Sequence, residues 1–162
     1  MPEEFNILPN DEAPFAHELR SGDAYASLRF TVSAELNQQF LFALEDFAPE
    51  YLGSDKGRAI VHPVVLLHMS ARTRSPSFRL APGTGSVFAR DVAKFERPAY
   101  VDEALEVRWT VRNVYMRKDR LYQALETIVV SVDDGKAVLR REAHSLFLTQ
   151  DGVTLALPSA QS

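Results

Sequence analysis

The chain has 162 residues, a formal net charge of −4, no cysteine, and a composition 46% hydrophobic and 25% charged. This suits one domain with its own core and excludes disulfides, thiolate metal sites and a cysteine nucleophile. The acidic balance argues against nucleic acid as a partner, since phosphate neutralisation needs a concentrated basic face; the short apolar runs and the lack of a signal-like N-terminus predict a cytoplasmic protein with no membrane contact.

Residues 1–24 mix Pro2, Pro9, Pro14, Gly22 and several polar residues, which predicts an N-terminal arm that Phe5, Ile7, Leu8 and Phe15 pin to the surface. A single domain follows over 25–150, and a tail over 151–162. Within the domain, residues 25–32 alternate as a first strand and meet Ser33, a good helix cap. From 34 to 47 the apolar Leu36, Phe40, Leu41, Leu44 and Phe47 recur every three or four residues, predicting an amphipathic helix that Pro49 ends. The Pro, Gly and Asp content of 47–58 predicts a loop.

The central stretch, 60–72, predicts one helix. Pro63 suits a first helical position, and Arg72 and Arg74 suit the carboxyl end of the dipole. Val64, Val65, Leu66, Leu67, Met69 and Ala71 fall on most faces, so the helix is expected to be surrounded by protein, with Leu66 and Leu67 at the centre of the core and His68 buried within it. Beyond it, 86–95 reads as a strand, and Leu105, Val107, Trp109 and Val111 alternate with polar residues in another. Turns at 116–120 and at Asp133-Asp134-Gly135-Lys136 divide two more strands, 121–132 and 137–148, into a meander. The fold class is therefore α+β, an antiparallel sheet of about five strands wrapped around a central helix.

That arrangement is the hotdog architecture, and the residues resemble one of its families. Asp46-Phe47-Ala48-Pro49-Glu50-Tyr51 resembles the Asp-x-Asn-Pro-[Ile/Leu]-[His/Tyr] signature of MaoC-like dehydratases, the family of the (R)-specific enoyl-CoA hydratases. Ile60-Val61-His62-Pro63 resembles the family's approach to the central helix. Residues 94–105 resemble its Arg-Phe-x-x-Pro-Val-x-x-Gly-Asp-x-Leu segment, and 114–120 resemble its next hairpin. Tyr51 stands at the signature's histidine position, Ala48 replaces the Asn, Asp102 a glycine, and Pro63 a glycine that would carry an N–H.

The resemblance implies a hydro-lyase acting on a 2-enoyl thioester carried by coenzyme A or an acyl carrier. Asp46 would be the base and Tyr51 or His62 its partner in proton transfer, and Pro63 and Val64 at the helix terminus would meet the thioester oxygen. Tyrosine, with an ordinary pKa of about 10, exchanges protons less readily near neutrality than histidine at about 6.5; His62, next to Pro63, either caps the helix or, by its place at the helix mouth, is the best substitute for the absent histidine. Arg117 and Lys118, with Arg112 and Arg120, would meet the phosphates of coenzyme A. No cofactor is implied, and His62 and His68, six apart without a Glu or Cys to complete a set, predict no metal site. The alternative is a non-catalytic hotdog subunit that binds acyl chains or completes a partner's pocket, and either reading predicts a homodimer or a heterodimer with another hotdog chain. A thioesterase of this fold is the third choice, since 63–71 holds no Asp or Glu.

Overall fold

The computed structural model describes residues 13–54 and 57–159; the expectations for Phe5, Ile7 and Leu8 lie outside the described residues. Strand β1 is Ala24–Phe30, followed by helix α1, Ala34–Leu44, the one-turn helix α2, Pro49–Leu52, and the central helix α3, Pro63–Met69. Four long strands follow: β2, Thr84–Phe95, β3, Leu105–Arg117, β4, Arg120–Ser131, and β5, Ala137–Thr149. They form one antiparallel sheet in the order β1-β3-β4-β5-β2. The five-stranded sheet and the meander agree with the sequence reading. The loop expected over 47–58 contains α2, because Pro49 supplies its first position.

One face of the sheet takes α3. Leu105, Val107, Trp109 and Val111 from β3, Leu121, Leu125 and Val129 from β4, and Leu139 and Phe147 from β5 meet Val65, Leu66 and Met69 of the helix. Ala16 and Leu19 from the segment before β1 join the same cluster. The β3–β4 turn places Lys118 and Asp119 at φ 50 and 57, and the β4–β5 turn places Gly135 at φ 69. Asp102 stands at φ 64, a region glycine enters without strain, which fits the glycine of the resembled segment.

Two expectations about α3 are corrected. The helix spans Pro63–Met69 rather than 60–72, because Ile60 and Val61 are extended: Ile60 bridges to Tyr100, and the Val61 N–H bonds the Ala99 carbonyl at 2.8 Å. Nor is it enclosed on every side. Val64 and His68 are exposed and Leu67 is half-buried, so one face is open in this chain. His68 is therefore a surface residue against the Phe40 ring, 5.5 Å between centroids.

The charge at the helix's carboxyl end also comes from elsewhere. Arg141 of β5 donates from Nη1 to the Leu67 carbonyl at 2.9 Å and to Ser70 Oγ at 3.1 Å, while Asp91 of β2 holds the rest of its guanidinium. Trp109 Nε1–H closes the Ser70 carbonyl at 2.8 Å. Arg72 turns inward instead, between the Phe78 and Phe147 rings, donating to Gln123 Oε1 at 2.8 Å and to Ser86 Oγ.

At the sheet's margins, β1 is partly covered: Ser77 Oγ accepts from the Ala26 N–H and Ser75 Oγ donates to the Ala26 carbonyl. Strand β2 is the open margin, with Val87, Phe88, Val92 and Phe95 exposed.

Because Leu66 is buried and Leu67 is not, Leu66→Ala is expected to lower unfolding stability by roughly 2–5 kcal/mol and Leu67→Ala by clearly less. Arg117→Ala, at an exposed turn, should leave the urea midpoint nearly unchanged, and equal midpoints for Leu66→Ala and Arg117→Ala would show that the core is misplaced.

Candidate functional site

The site is assembled from the end of α1, the α2 turn and the first residue before α3. Ser33 caps α1 by accepting the Leu36 N–H, and Glu45 ends it in a left-handed conformation, φ 53. The Asp46 N–H then returns to the Leu41 carbonyl at 3.1 Å, which aims the Asp46 side chain away from the helix axis. Its Oδ1 accepts the Ala48 N–H at 3.3 Å, leading the chain into Pro49 and α2.

His62 caps α3. Its Nδ1 accepts the Val64 N–H at 3.2 Å, so the neutral ring carries its proton on Nε2, and Nε2–H donates to Asp46 Oδ2 at 3.0 Å. The ring is nearly enclosed, its side chain 11% exposed, whereas that of Asp46 is 41% exposed. The carboxylate is thus held by a buried donor and offers its remaining lone pairs to solvent. The Tyr51 ring packs against the His62 ring with centroids 4.8 Å apart. Partial burial, followed by the charges of Asp46 and Glu50, pushes the Tyr51 phenol above its ordinary value, so it stays a protonated donor through neutral pH.

The structure therefore joins Asp46, Tyr51 and His62 into one cluster. It uses Pro63 and Val64 differently from the expectation. Pro63 has no N–H, the Val64 N–H is taken by the His62 ring, and the Val65 N–H bonds the His62 carbonyl at 2.9 Å, so these first helical positions offer no free amide to a thioester oxygen. Arg117 and Lys118 do not join the cluster either. Strand β3 runs about 40 Å from Leu105, near the start of α1, to Arg117 at the far end of the sheet. A cleft of about 580 Å³ at that far end, lined by His17, Gly83, Thr84, Thr149 and Leu155, touches none of the site residues. Among the described residues no group of three His, Cys, Asp or Glu side chains is placed to hold a metal ion.

The segments that carry the site expose both apolar side chains and the acidic Glu45 and Glu50. Phe42, Phe47, Leu52 and Val64 are exposed, and Phe42 and Phe47 meet edge to face at 5.2 Å. Sequence reasoning missed Asn37. It lies four residues before Leu41 on the inward stripe of α1, is 1% exposed, and bonds both to His62 and to the Tyr51 backbone. A polar residue on an apolar stripe was its signal.

No protein-family model matches the chain, and no curated protein matches it in sequence. Solved structures do. The (R)-hydratase from A. caviae involved in PHA biosynthesis is 21% identical, covering 80% of this chain and 98% of its own, with a TM-score of 0.62. The MaoC-like dehydratase from Rhodospirillum rubrum is 20% identical, covering 82% and 95%, with a TM-score of 0.63. The C-terminally truncated HadBC (3R-hydroxyacyl-ACP dehydratase) complex from Mycobacterium tuberculosis gives 14% identity, 80% and 98% coverage, and a TM-score of 0.66. The chain has the hotdog fold of these MaoC-like hydratases and dehydratases.

The segment behind the site makes a pH prediction. Burial alone would raise the Glu103 carboxyl, but bonds from Arg97 and the Tyr100 N–H hold it below its ordinary value, and this brace fixes the loop that pairs with Ala59 and Val61. A lowered carboxyl contributes stability above its unfolded pKa and loses it as pH falls through the folded one. The melting temperature of the wild type should therefore fall more steeply than that of Glu103→Gln as pH drops from neutral through the carboxylate range. Parallel curves for the two proteins would refute the brace.

Proposed function

We propose that the chain is a hydro-lyase that adds water to a 2-enoyl thioester, or removes it from the 3-hydroxyacyl thioester, with Asp46 as the base. The single observation that carries this is the Asp46–His62 pair, a half-exposed carboxylate oriented by a nearly buried ring. Its likeness in fold to (R)-hydratases and a 3R-hydroxyacyl-ACP dehydratase supports it.

In hydration, Asp46 takes one proton of the water as the oxygen bonds to C3, and the C2–C3 π pair moves toward C2 and the thioester carbonyl. His62 Nε2–H, already on the carboxylate, keeps Asp46 fixed while its charge changes. The Asp46–His62 pair returns the proton to C2, so water's atoms end as the C3 hydroxyl and the C2 hydrogen. Tyr51, protonated at neutral pH, is the second donor the cluster offers. The apolar surface of Phe42, Phe47, Leu52 and Val64 suits an acyl chain, with coenzyme A or an acyl carrier as the thioester's other half. A cytosolic setting fits the cysteine-free sequence; among the described residues no helix is long and apolar enough to cross a membrane.

The committed amides at the mouth of α3 favour a second reading, a hotdog subunit that binds acyl chains or completes the active site of a partner chain. Both readings include a dimer, homomeric or with another hotdog chain. The open β2 margin, with its exposed Val87, Phe88, Val92 and Phe95, is the surface that pairing would cover. Light scattering should give at least twice the 18.2 kDa chain mass, and a dilute monomer would remove the dimer.

A coupled assay with short and medium enoyl-CoA substrates separates the two readings. For a hydro-lyase, Asp46→Asn should lower kcat by about 100- to 10,000-fold with little change in melting temperature. His62→Gln should follow it if the ring supports the base, and Tyr51→Phe if the phenol donates. A wild-type chain inactive alone but active when mixed with a second MaoC-like chain would establish the subunit reading instead.

A further inference from the structure

Asn37 is a fully buried amide whose bonds all go to backbone of the site. Its Oδ1 accepts the His62 N–H at 2.9 Å; its Nδ2 donates to the Ile60 carbonyl at 3.1 Å and to the Tyr51 carbonyl at 3.3 Å. The chemistry fixes which way the amide faces, since an N–H can only donate and the two carbonyls can only accept. These backbone groups lie at the end of α2, in the extended lead-in to α3 and at the residue before α3, places where helix and sheet leave main-chain groups over.

We propose that Asn37 is a positioning residue for the Asp46–His62–Tyr51 cluster. One amide gathers the backbone of Tyr51 and of His62 onto the same side chain of α1, the helix whose end presents Asp46. With its backbone held there, His62 keeps its ring over the Val64 N–H, and that bond leaves Nε2–H pointed at Asp46. The Tyr51 ring is brought against His62 by the same amide. A hydrophobic side chain at 37 would fit the stripe with Leu41 but would take away the bonds to the buried His62 N–H and to the part-buried Ile60 and Tyr51 carbonyls. Asn37→Asp keeps the acceptor for His62 and turns an oxygen toward both carbonyls. The kinetic consequence rests on the hydro-lyase reading, whereas the consequence for the His62 ring does not.

The test compares the full-length wild type with Asn37→Leu, Asn37→Asp and Asn37→Ser, with Gln38→Ala on the exposed face of α1 as control. Long-range 1H–15N spectra of the imidazoles, with His62→Gln to assign the signal, report the tautomer. The wild-type His62 ring should show a single Nε2–H form, and the Asn37 variants a mixture of both tautomers. If the wild type hydrates an enoyl-CoA, the same variants should lower kcat on the order of 100-fold with KM within about twofold, while Gln38→Ala matches the wild type. An inactive wild type removes the hydro-lyase reading and leaves the ring spectrum to decide this one. Folded Asn37 variants that keep the Nε2–H signature overturn the proposal. Failure of all three to fold overturns it too, in favour of a purely structural role.

Discussion

A helix of seven residues has too few internal hydrogen bonds to stand alone in water, and α3 is such a helix. It exists because both ends are tied down by side chains from elsewhere. At the carboxyl end Arg141 and Trp109 take the carbonyls of Leu67 and Ser70, and between the ends Val65, Leu66 and Met69 lie in the sheet's core. At the amino end His62 closes the Val64 N–H and Asn37 holds the His62 backbone. The groups that hold the amino end of this helix also belong to the candidate site, so at that end stability and site geometry share the same few bonds.

That sharing shapes what the site can do. Many sites at helix termini draw on free N–H groups to bind developing negative charge. Here a proline and a capping ring have used up the first positions, and the reactive capacity has moved to side chains: an oriented carboxylate, the ring that orients it and a protonated phenol. Proton transfer is what such a set offers. In the proposed hydration the thioester oxygen would be stabilised by groups other than these amides, and Asp46 stands half-exposed in this chain.

The sheet was legible in the sequence because its signals are local. The alternation of Leu105, Val107, Trp109 and Val111 and the Asp-Gly turn at 134–135 need no knowledge of the rest of the fold. The length of α3 was not, since Ile60 and Val61 are as apolar as a helix interior yet are drawn out by pairing with Tyr100 and Ala99. Asp46 and His62 were each singled out by resemblance, but no period links residues sixteen apart, and their bond depends on how α1 and α3 are brought together. Arg141 at the helix end required the β2–β5 register that also brings Asp91 to it. The polar Asn37 on its apolar stripe was visible as an anomaly, while its three partners were not.

The order of strands bears on how the chain reaches this structure. The β3-β4-β5 meander joins neighbours in sequence, but among the described residues β1 pairs only with β3, with Tyr25 opposite Trp109, and β2 only with β5, with Val92 opposite Glu142. Such distant pairings close large loops before any contact rewards them, which slows folding. The segments bearing Asp46, Tyr51 and His62 precede four of the five strands and have no complete sheet to rest on until those strands pair. The N-terminal half is therefore completed only when strands of the C-terminal half pair with it.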